Sequence, residues 1–227
     1  MADLIVGGGR YGERAAQYLI EQRRQFVVVD PDPECTAVAG IRKQQGTYPV
    51  IPGGLDAALR AFMDYRPGLV FPTAPAHVAA GLVCEAGGFR ESPGGIPGIL
   101  ERIPPGLVLG TRGGSVFLSV NRDSTCIPDC PSPDTCPVTG EDRSEPLHQR
   151  LRQALPRAFI LESIQVAPGL GALRGNDVAD LIRQVGGRKQ VIIGTACRCH
   201  GVVTMLVSRQ ETESTTGMNR AYRIDSV

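Results

Sequence analysis

The stretch that decides the fold is LIVGGGRYG, residues 4–12, in which a short apolar run leads into the spacing G-x-G-x-x-G. Apolar residues follow at helical spacing over residues 14–24, and a second apolar run, residues 27–29, ends in Asp30. The start of the chain therefore predicts a strand, a glycine turn, a helix and a second strand that ends in an acid.

This order of elements is the context in which a glycine motif binds a dinucleotide. Gly7 allows the tight turn, Gly9 lets the backbone approach a pyrophosphate, and Gly12 lets the helix pack close to the strand. The first helical N–H groups then face the phosphates. Asp30 is placed to accept hydrogen bonds from the adenosine ribose, and its carboxylate disfavours the 2′-phosphate of NADP. The sequence thus predicts NAD, with a fold that has lost its ligand, or that holds ATP or AMP, as the open alternatives. The predicted cofactor-binding residues are Gly7, Gly8, Gly9, Arg10, Tyr11, Gly12, Asp30, Pro31 and Thr73.

Strand and helix patterns alternate over residues 2–87, which predicts an α/β fold with a doubly wound, parallel, Rossmann-like sheet. In such sheets the ligand lies at the carboxyl ends of the strands. His77 follows the predicted fourth strand at that edge, where it could face a nicotinamide and transfer a proton as the catalytic residue. The alternative is a solvated histidine in the first turn of a helix.

The rest of the chain predicts a second α/β part. A glycine- and proline-rich segment is followed by a hairpin pattern over residues 107–120, and a strand–helix–strand rhythm begins at residue 159. We expect the hairpin and the C-terminal strands to extend the first sheet. The predicted division is a dinucleotide-binding part, residues 1–106, and a C-terminal part, residues 107–227, together forming one unit.

A cysteine- and proline-rich insertion, residues 121–146, carries three of the seven cysteines. Such a loop cannot build an apolar core, and thiolates bind zinc or iron–sulfur clusters tightly. The motif Cys197-x-Cys199-His200 comes much later, and on an extended strand its two thiols would point the same way. A reversible disulfide and a set of free thiols are the open alternatives. The predicted metal ligands are Cys126, Cys130, Cys136, Cys197 and Cys199.

Composition restricts the class of protein. The 227 residues carry a net charge of +1, which provides no field for nucleic acid or an anionic membrane. No apolar run approaches the roughly 20 residues of a membrane span. The first strand begins near residue 3, which leaves no room for a signal peptide, so a cytoplasmic location with reduced or metal-bound cysteines is expected.

Three segments carry a resemblance to known families: residues 6–10, 28–33 and 69–74. Over residues 2–87 the chain resembles the RCK-type (TrkA N-terminal) nucleotide-binding domains that regulate potassium transport. It also resembles the N-terminal domain of the precorrin-2 dehydrogenases of sirohaem synthesis. Both resemblances imply a nucleotide-binding fold.

Two functions follow as hypotheses. The first is an NAD-dependent oxidoreductase with a cysteine-held zinc or iron–sulfur site, acting on a small-molecule substrate, with homodimerisation left open. The second is a non-catalytic nucleotide-binding sensor of redox state or metal, of RCK type; a purely structural subunit is the third option. The insertion and residues 197–200 are expected to close over the crevice that the glycine motif opens.

Overall fold

A computed structural model of the chain describes residues 2–43 and 49–209, which form a mixed α/β structure with two sheets. Residues 210–227 of the predicted C-terminal part lie outside the described residues. The strands are β1 (Asp3–Val6), β2 (Phe26–Asp30), β3 (Val50–Pro52), β4 (Leu69–Pro72), β5 (Phe89–Glu91), β6 (Val108–Arg112), β7 (Ser115–Ser119), β8 (Phe159–Glu162), β9 (Ile164–Ala167), β10 (Leu170–Arg174), β11 (Gln190–Ala196) and β12 (His200–Ser208). The helices are α1 (Arg10–Glu21), α2 (Thr36–Lys43), α3 (Leu55–Tyr65), α4 (Val78–Gly87), α5 (Ile96–Leu100), α6 (Leu147–Ala154) and α7 (Gly175–Val185).

The first sheet has the strand order β3-β2-β1-β4-β10-β9. Its first four strands are parallel, whereas β10 runs antiparallel to β4, and β9 runs antiparallel to β10. All four residues of β1 are buried, as expected for a strand that is covered on both faces. Helices α1 and α2 cover one face of this sheet, and α3, α4 and α7 cover the other.

The second sheet has the order β6-β7-β12-β11-β8, and β5 also pairs with β12. Its pairings are antiparallel except that of β11 with β8. One face packs on α4 and α7, because Ile193 and Leu206 share an apolar core with Val83 and Val178. The other face packs on α5 and α6. The layers therefore alternate helix, sheet, helix, sheet, helix.

The predicted extension of the first sheet is correct only for β9 and β10. The hairpin β6–β7 lies in the second sheet, as do β8, β11 and β12. The segment 159–166 is divided at Ser163 into β8 and β9, which belong to different sheets. Since β5, before residue 106, pairs with β12, the predicted boundary at residue 106 does not separate the two sheets. No helix among the described residues has the length and apolarity needed to cross a membrane.

His77 joins the two layers at the start of α4. Its side chain is 8% exposed, its Nδ1 lies 2.7 Å from Thr204 Oγ1, and its Nε2 lies 3.2 Å from Thr195 Oγ1. Both threonines belong to the second sheet. Burial lowers the pKa of His77 from 6.5 to about 3, so the ring is neutral at physiological pH.

This burial predicts a pH-dependent stability. The unfolded chain binds a proton at His77 below about pH 6.5 while the folded chain does not, so the unfolding free energy falls as the pH is lowered from 6.5 towards 3. The contribution of one such group is at most about 1.4 kcal/mol per pH unit. We expect His77→Gln, whose amide retains a donor and an acceptor, to show a smaller loss between pH 7 and pH 5 in urea titrations. An equal loss in wild type and His77→Gln would contradict the prediction.

Candidate functional site

The glycine loop, residues 7–12, runs from the end of β1 into the first turn of α1. Gly7 has a φ of 101°, and a Cβ there would lie 2.4 Å from the backbone nitrogen of Ala74. A Cβ on Gly12 would lie 2.1 Å from the carbonyl oxygen of Gly7. Both glycines are therefore required by the fold itself, as the motif predicts.

Gly9 differs from these two glycines. It is exposed, its φ is −70°, and no protein atom lies within 4 Å of the position that its Cβ would take. It is the N-cap residue of α1, and no side chain caps this helix end. Neither backbone conformation nor packing within the described chain demands a glycine at this position.

Asp30 and Thr73 both hold the glycine loop. The Asp30 carboxylate accepts hydrogen bonds from the backbone nitrogen of Gly8 at 2.6 Å and from that of Asp32 at 2.8 Å. The Thr73 hydroxyl lies 2.6 Å from the Gly7 carbonyl oxygen. A carboxylate has about four acceptor positions, so Asp30 retains acceptor capacity for a ligand. The other predicted cofactor-binding residues, Arg10, Tyr11 and Pro31, are exposed beside the loop.

The cysteine loop, residues 121–146, contains no helix or strand and is held by polar contacts. Its carbonyl at Cys130 accepts hydrogen bonds from the Gly169 nitrogen at 3.1 Å and from Gln165 Nε2 at 2.7 Å. Its Asp129 forms an ion pair of 2.5 Å with Arg14 of α1. The loop is thus attached to the β9–β10 hairpin and to the helix that follows the glycine loop.

Four of the predicted ligands line one cavity of about 300 Å³, the cysteine pocket. They are Cys126 and Cys130 from the cysteine loop and Cys197 and Cys199 from the later motif. The fifth, Cys136, is 2% exposed and does not line this pocket; its sulfur accepts bonds from the nitrogens of Val138 and Thr139, each at 3.4 Å.

Residues 197–199 form the turn between β11 and β12, and not the extended strand that was expected. The Cys197 nitrogen donates to the His200 carbonyl at 2.9 Å, which closes the turn. Its two thiols nevertheless reach the same pocket, and His200 also lines that pocket. The ring of His200 lies 3.4 Å from the Cys126 sulfur, so the turn and the cysteine loop meet there.

The sulfur atoms in the pocket accept hydrogen bonds from nitrogen donors. Cys197 Sγ accepts from the backbone nitrogens of Cys199 at 3.4 Å and His200 at 3.3 Å. Burial alone would raise the pKa of the Cys197 thiol, but the hydrogen bonds from the His200 side chain and these backbone groups bring the pKa below its usual value. Cys126 accepts from Asn121 Nδ2 at 3.1 Å, and Cys130 accepts from the Ser132 nitrogen at 3.4 Å.

Arg143 is a buried charged residue at this site that the sequence did not single out. Its side chain is 5% exposed, with Nη1 2.7 Å from Cys199 Sγ and Nη2 2.9 Å from Asn121 Oδ1. Its Nε has no hydrogen-bond partner, and no carboxylate of the described chain forms an ion pair with it. Burial distinguishes it from Arg122, the other arginine of the loop, and burial cannot be read from the loop's composition.

The glycine loop and the cysteine pocket are adjacent through α1. Tyr11, in the first turn of this helix, lines the cysteine pocket. His77 does not line it, because its ring lies between α4 and the second sheet. No three His, Cys, Asp or Glu side chains of residues 2–43 and 49–209 converge closely enough to hold a single metal ion. Four of the predicted ligands thus line one pocket, although no three donors of the described residues converge on a single point.

Comparison with known proteins assigns the chain to a family. A family model described as the N-terminal domain of an uncharacterized protein, AF_1314, matches residues 2–78, and the model of its C-terminal domain matches residues 79–209. An uncharacterized protein of Archaeoglobus fulgidus is 38% identical over 213 residues, which cover 90% of this chain and 98% of that protein. The chain therefore belongs to the AF_1314 family, over both of its parts.

Proposed function

We propose that the protein is an NAD-binding oxidoreductase of Rossmann-like fold. The parallel order β3-β2-β1-β4 agrees with the first half of a doubly wound sheet, in which the glycine turn follows the first strand. The antiparallel β10 takes the next place beside β4. The three loops at the carboxyl ends of β1, β2 and β4 carry Gly7, Asp30 and Thr73, which are in contact with one another through the glycine loop.

Gly9 is the observation that carries this proposal. The chain itself places no atom near its missing Cβ, so a ligand has room to approach the backbone there. A pyrophosphate would use that room, because its oxygens must reach the backbone N–H groups at the start of α1. The uncapped end of α1 supports the same conclusion, since those donors have no side-chain partner.

Different residues of the glycine loop and its neighbours would bind different parts of the dinucleotide. The backbone at Gly8, Gly9 and Arg10 would face the pyrophosphate, and the remaining acceptor positions of Asp30 would face the ribose hydroxyls. Thr73 keeps the loop in place through the Gly7 carbonyl. When bound, NAD would supply or accept a hydride.

The position of α1 favours an oxidoreductase over a scaffold. Its first turn carries both the end of the glycine loop and Tyr11, which lines the thiol-containing pocket. Its next turn carries Arg14, which bonds to Asp129 and, at 3.1 Å, to the Pro168 carbonyl. One helix thus serves the proposed nucleotide site and a cluster of redox-capable side chains.

The nucleotide site is tested by Gly9→Val. The new side chain would meet ligand and not protein, so we expect the melting temperature to stay close to wild type while NAD affinity falls at least about tenfold, or about 1.4 kcal/mol. Isothermal titration calorimetry measures the affinity. The matched control is Gly98→Val, since Gly98 also has no atom within 4 Å of its missing Cβ and lies in α5; it should bind as wild type. Unchanged affinity in Gly9→Val would place the nucleotide elsewhere.

The choice of NAD over NADP is tested by Asp30→Asn. The amide keeps an acceptor for the loop but removes the charge that repels a 2′-phosphate, so the preference for NAD should fall by about tenfold. Titrations with both dinucleotides give the ratio. An equal loss of affinity for both would show that Asp30 acts only by holding Gly8.

Catalysis is tested by NADH oxidation with a dye that accepts a hydride, that is two electrons and a proton, using protein purified without oxygen. Turnover that is lost in Gly9→Val and kept in Gly98→Val is the expected result. Tight NADH binding without oxidation would contradict the oxidoreductase proposal and favour the nucleotide-binding sensor.

A further inference from the structure

The cysteine pocket is built from two parts of the chain that are far apart in sequence. The cysteine loop contributes Cys126 and Cys130, and the β11–β12 turn contributes Cys197 and Cys199. The pocket volume is about 300 Å³. Four cysteines thus line a space larger than a single ion would fill.

The spacing of the donors distinguishes between kinds of metal centre. A structural zinc requires its sulfur ligands at about 2.3 Å from one point. No three candidate donors in the described ranges meet such a requirement. An iron–sulfur cluster is also held by four cysteine thiolates, but its ligands stand around a larger inorganic core. Four cysteines around a pocket of this size, without three donors that converge on one point, therefore fit a cluster better than one ion.

The hydrogen bonds to sulfur also favour an iron–sulfur cluster. Each of the four pocket cysteines accepts a bond from a nitrogen donor, the donors being backbone groups, Asn121 and Arg143. Bonds of this kind stabilise a thiolate over a thiol, and at iron–sulfur centres they set the reduction potential. The same donors would gain less from inert thiols, because the sulfur of a thiol is a weak acceptor.

Arg143 is a buried cation without a carboxylate partner among the described residues. A guanidinium that is 5% exposed is costly unless an anion compensates it, and none of the described carboxylates does so. Its Nη1 contacts Cys199, and its buried Nε has no partner. Four thiolates around a cluster core leave a net negative charge, which would compensate this cation.

We propose that Cys126, Cys130, Cys197 and Cys199 bind an iron–sulfur cluster in the cysteine pocket, with Arg143 as its buried counter-ion. Each thiol loses its proton to solvent as its sulfur bonds to iron. Cys136, outside the pocket, is not a ligand. This assignment goes beyond the nucleotide proposal and does not depend on it, because its tests measure iron, sulfide and spectra and not NAD binding.

The ligand set is tested on full-length protein purified without oxygen. We expect iron and acid-labile sulfide in equal amounts, a broad visible absorption, and an electron paramagnetic resonance signal after reduction with dithionite. Serine variants at each of the four pocket cysteines should lose most of the iron. The matched controls Cys136→Ser and Cys84→Ser should keep it.

Three results would overturn the assignment. They are zinc without sulfide, a colourless metal-free protein with all seven thiols titratable, and loss of iron in Cys136→Ser with retention in Cys130→Ser. The first would indicate a single-ion site, the second no metal site, and the third a different ligand set. The wild-type metal and sulfide analysis decides the first two even where a variant fails to fold.

The role of Arg143 is tested by the reduction potential. Removing a positive charge beside the cluster makes the gain of an electron less favourable, so Arg143→Gln should bind iron with a lowered midpoint potential. Arg143→Lys keeps the charge and should remain close to wild type. The control Arg122→Gln, an exposed residue of the same loop, should not shift the potential. An unchanged potential in Arg143→Gln would remove the counter-ion role, as would equal shifts in the Gln and Lys variants.

Discussion

The apolar helix α4 is the constraint on which the architecture depends. Its buried residues include Val78, Ala79, Leu82 and Val83, and they occur on more than one side of the helix. A helix of this kind must be covered on opposite faces, since water cannot solvate either of them favourably. The first sheet covers one face and the second sheet covers the other. This burial fixes β11 and β12 relative to the first sheet, and with them the turn that carries Cys197 and Cys199.

Local patterns in the sequence were sufficient for the elements up to residue 87, because each short apolar run there is one strand and each amphipathic stretch is one helix. Strand pairing after that point could not be predicted from the same signal. The segment 159–166 has the composition of a single strand, yet Ser163 divides it between two sheets, and a lone serine does not predict such a change of partner. His77 illustrates the consequence. Its place after β4 predicted an open crevice, but the second sheet buries it against Thr195 and Thr204.

The candidate site was predictable in its residue types and not in its grouping. Cysteine content identified the thiols, but which of them share a pocket depends on how the loop folds back on the β9–β10 hairpin through Gly169 and Gln165. Arg143 could not be selected at all, because an arginine in a polar loop is usually a solvated residue. Its importance comes from burial beside a sulfur atom, which only the folded arrangement creates.

The cysteine loop is held differently from the rest of the chain. None of residues 121–146 belongs to any of the three apolar cores, whereas Cys35 packs within one of them. The Arg14–Asp129 pair is largely exposed on its acidic side, and such pairs contribute only about 0–1 kcal/mol. Ordering a loop of this length costs more conformational entropy than a few polar contacts offset. Bonds from four cysteine sulfurs to one centre would offset this loss of entropy. They would also hold the loop against Tyr11, in the first turn of α1, where the proposed nucleotide site lies.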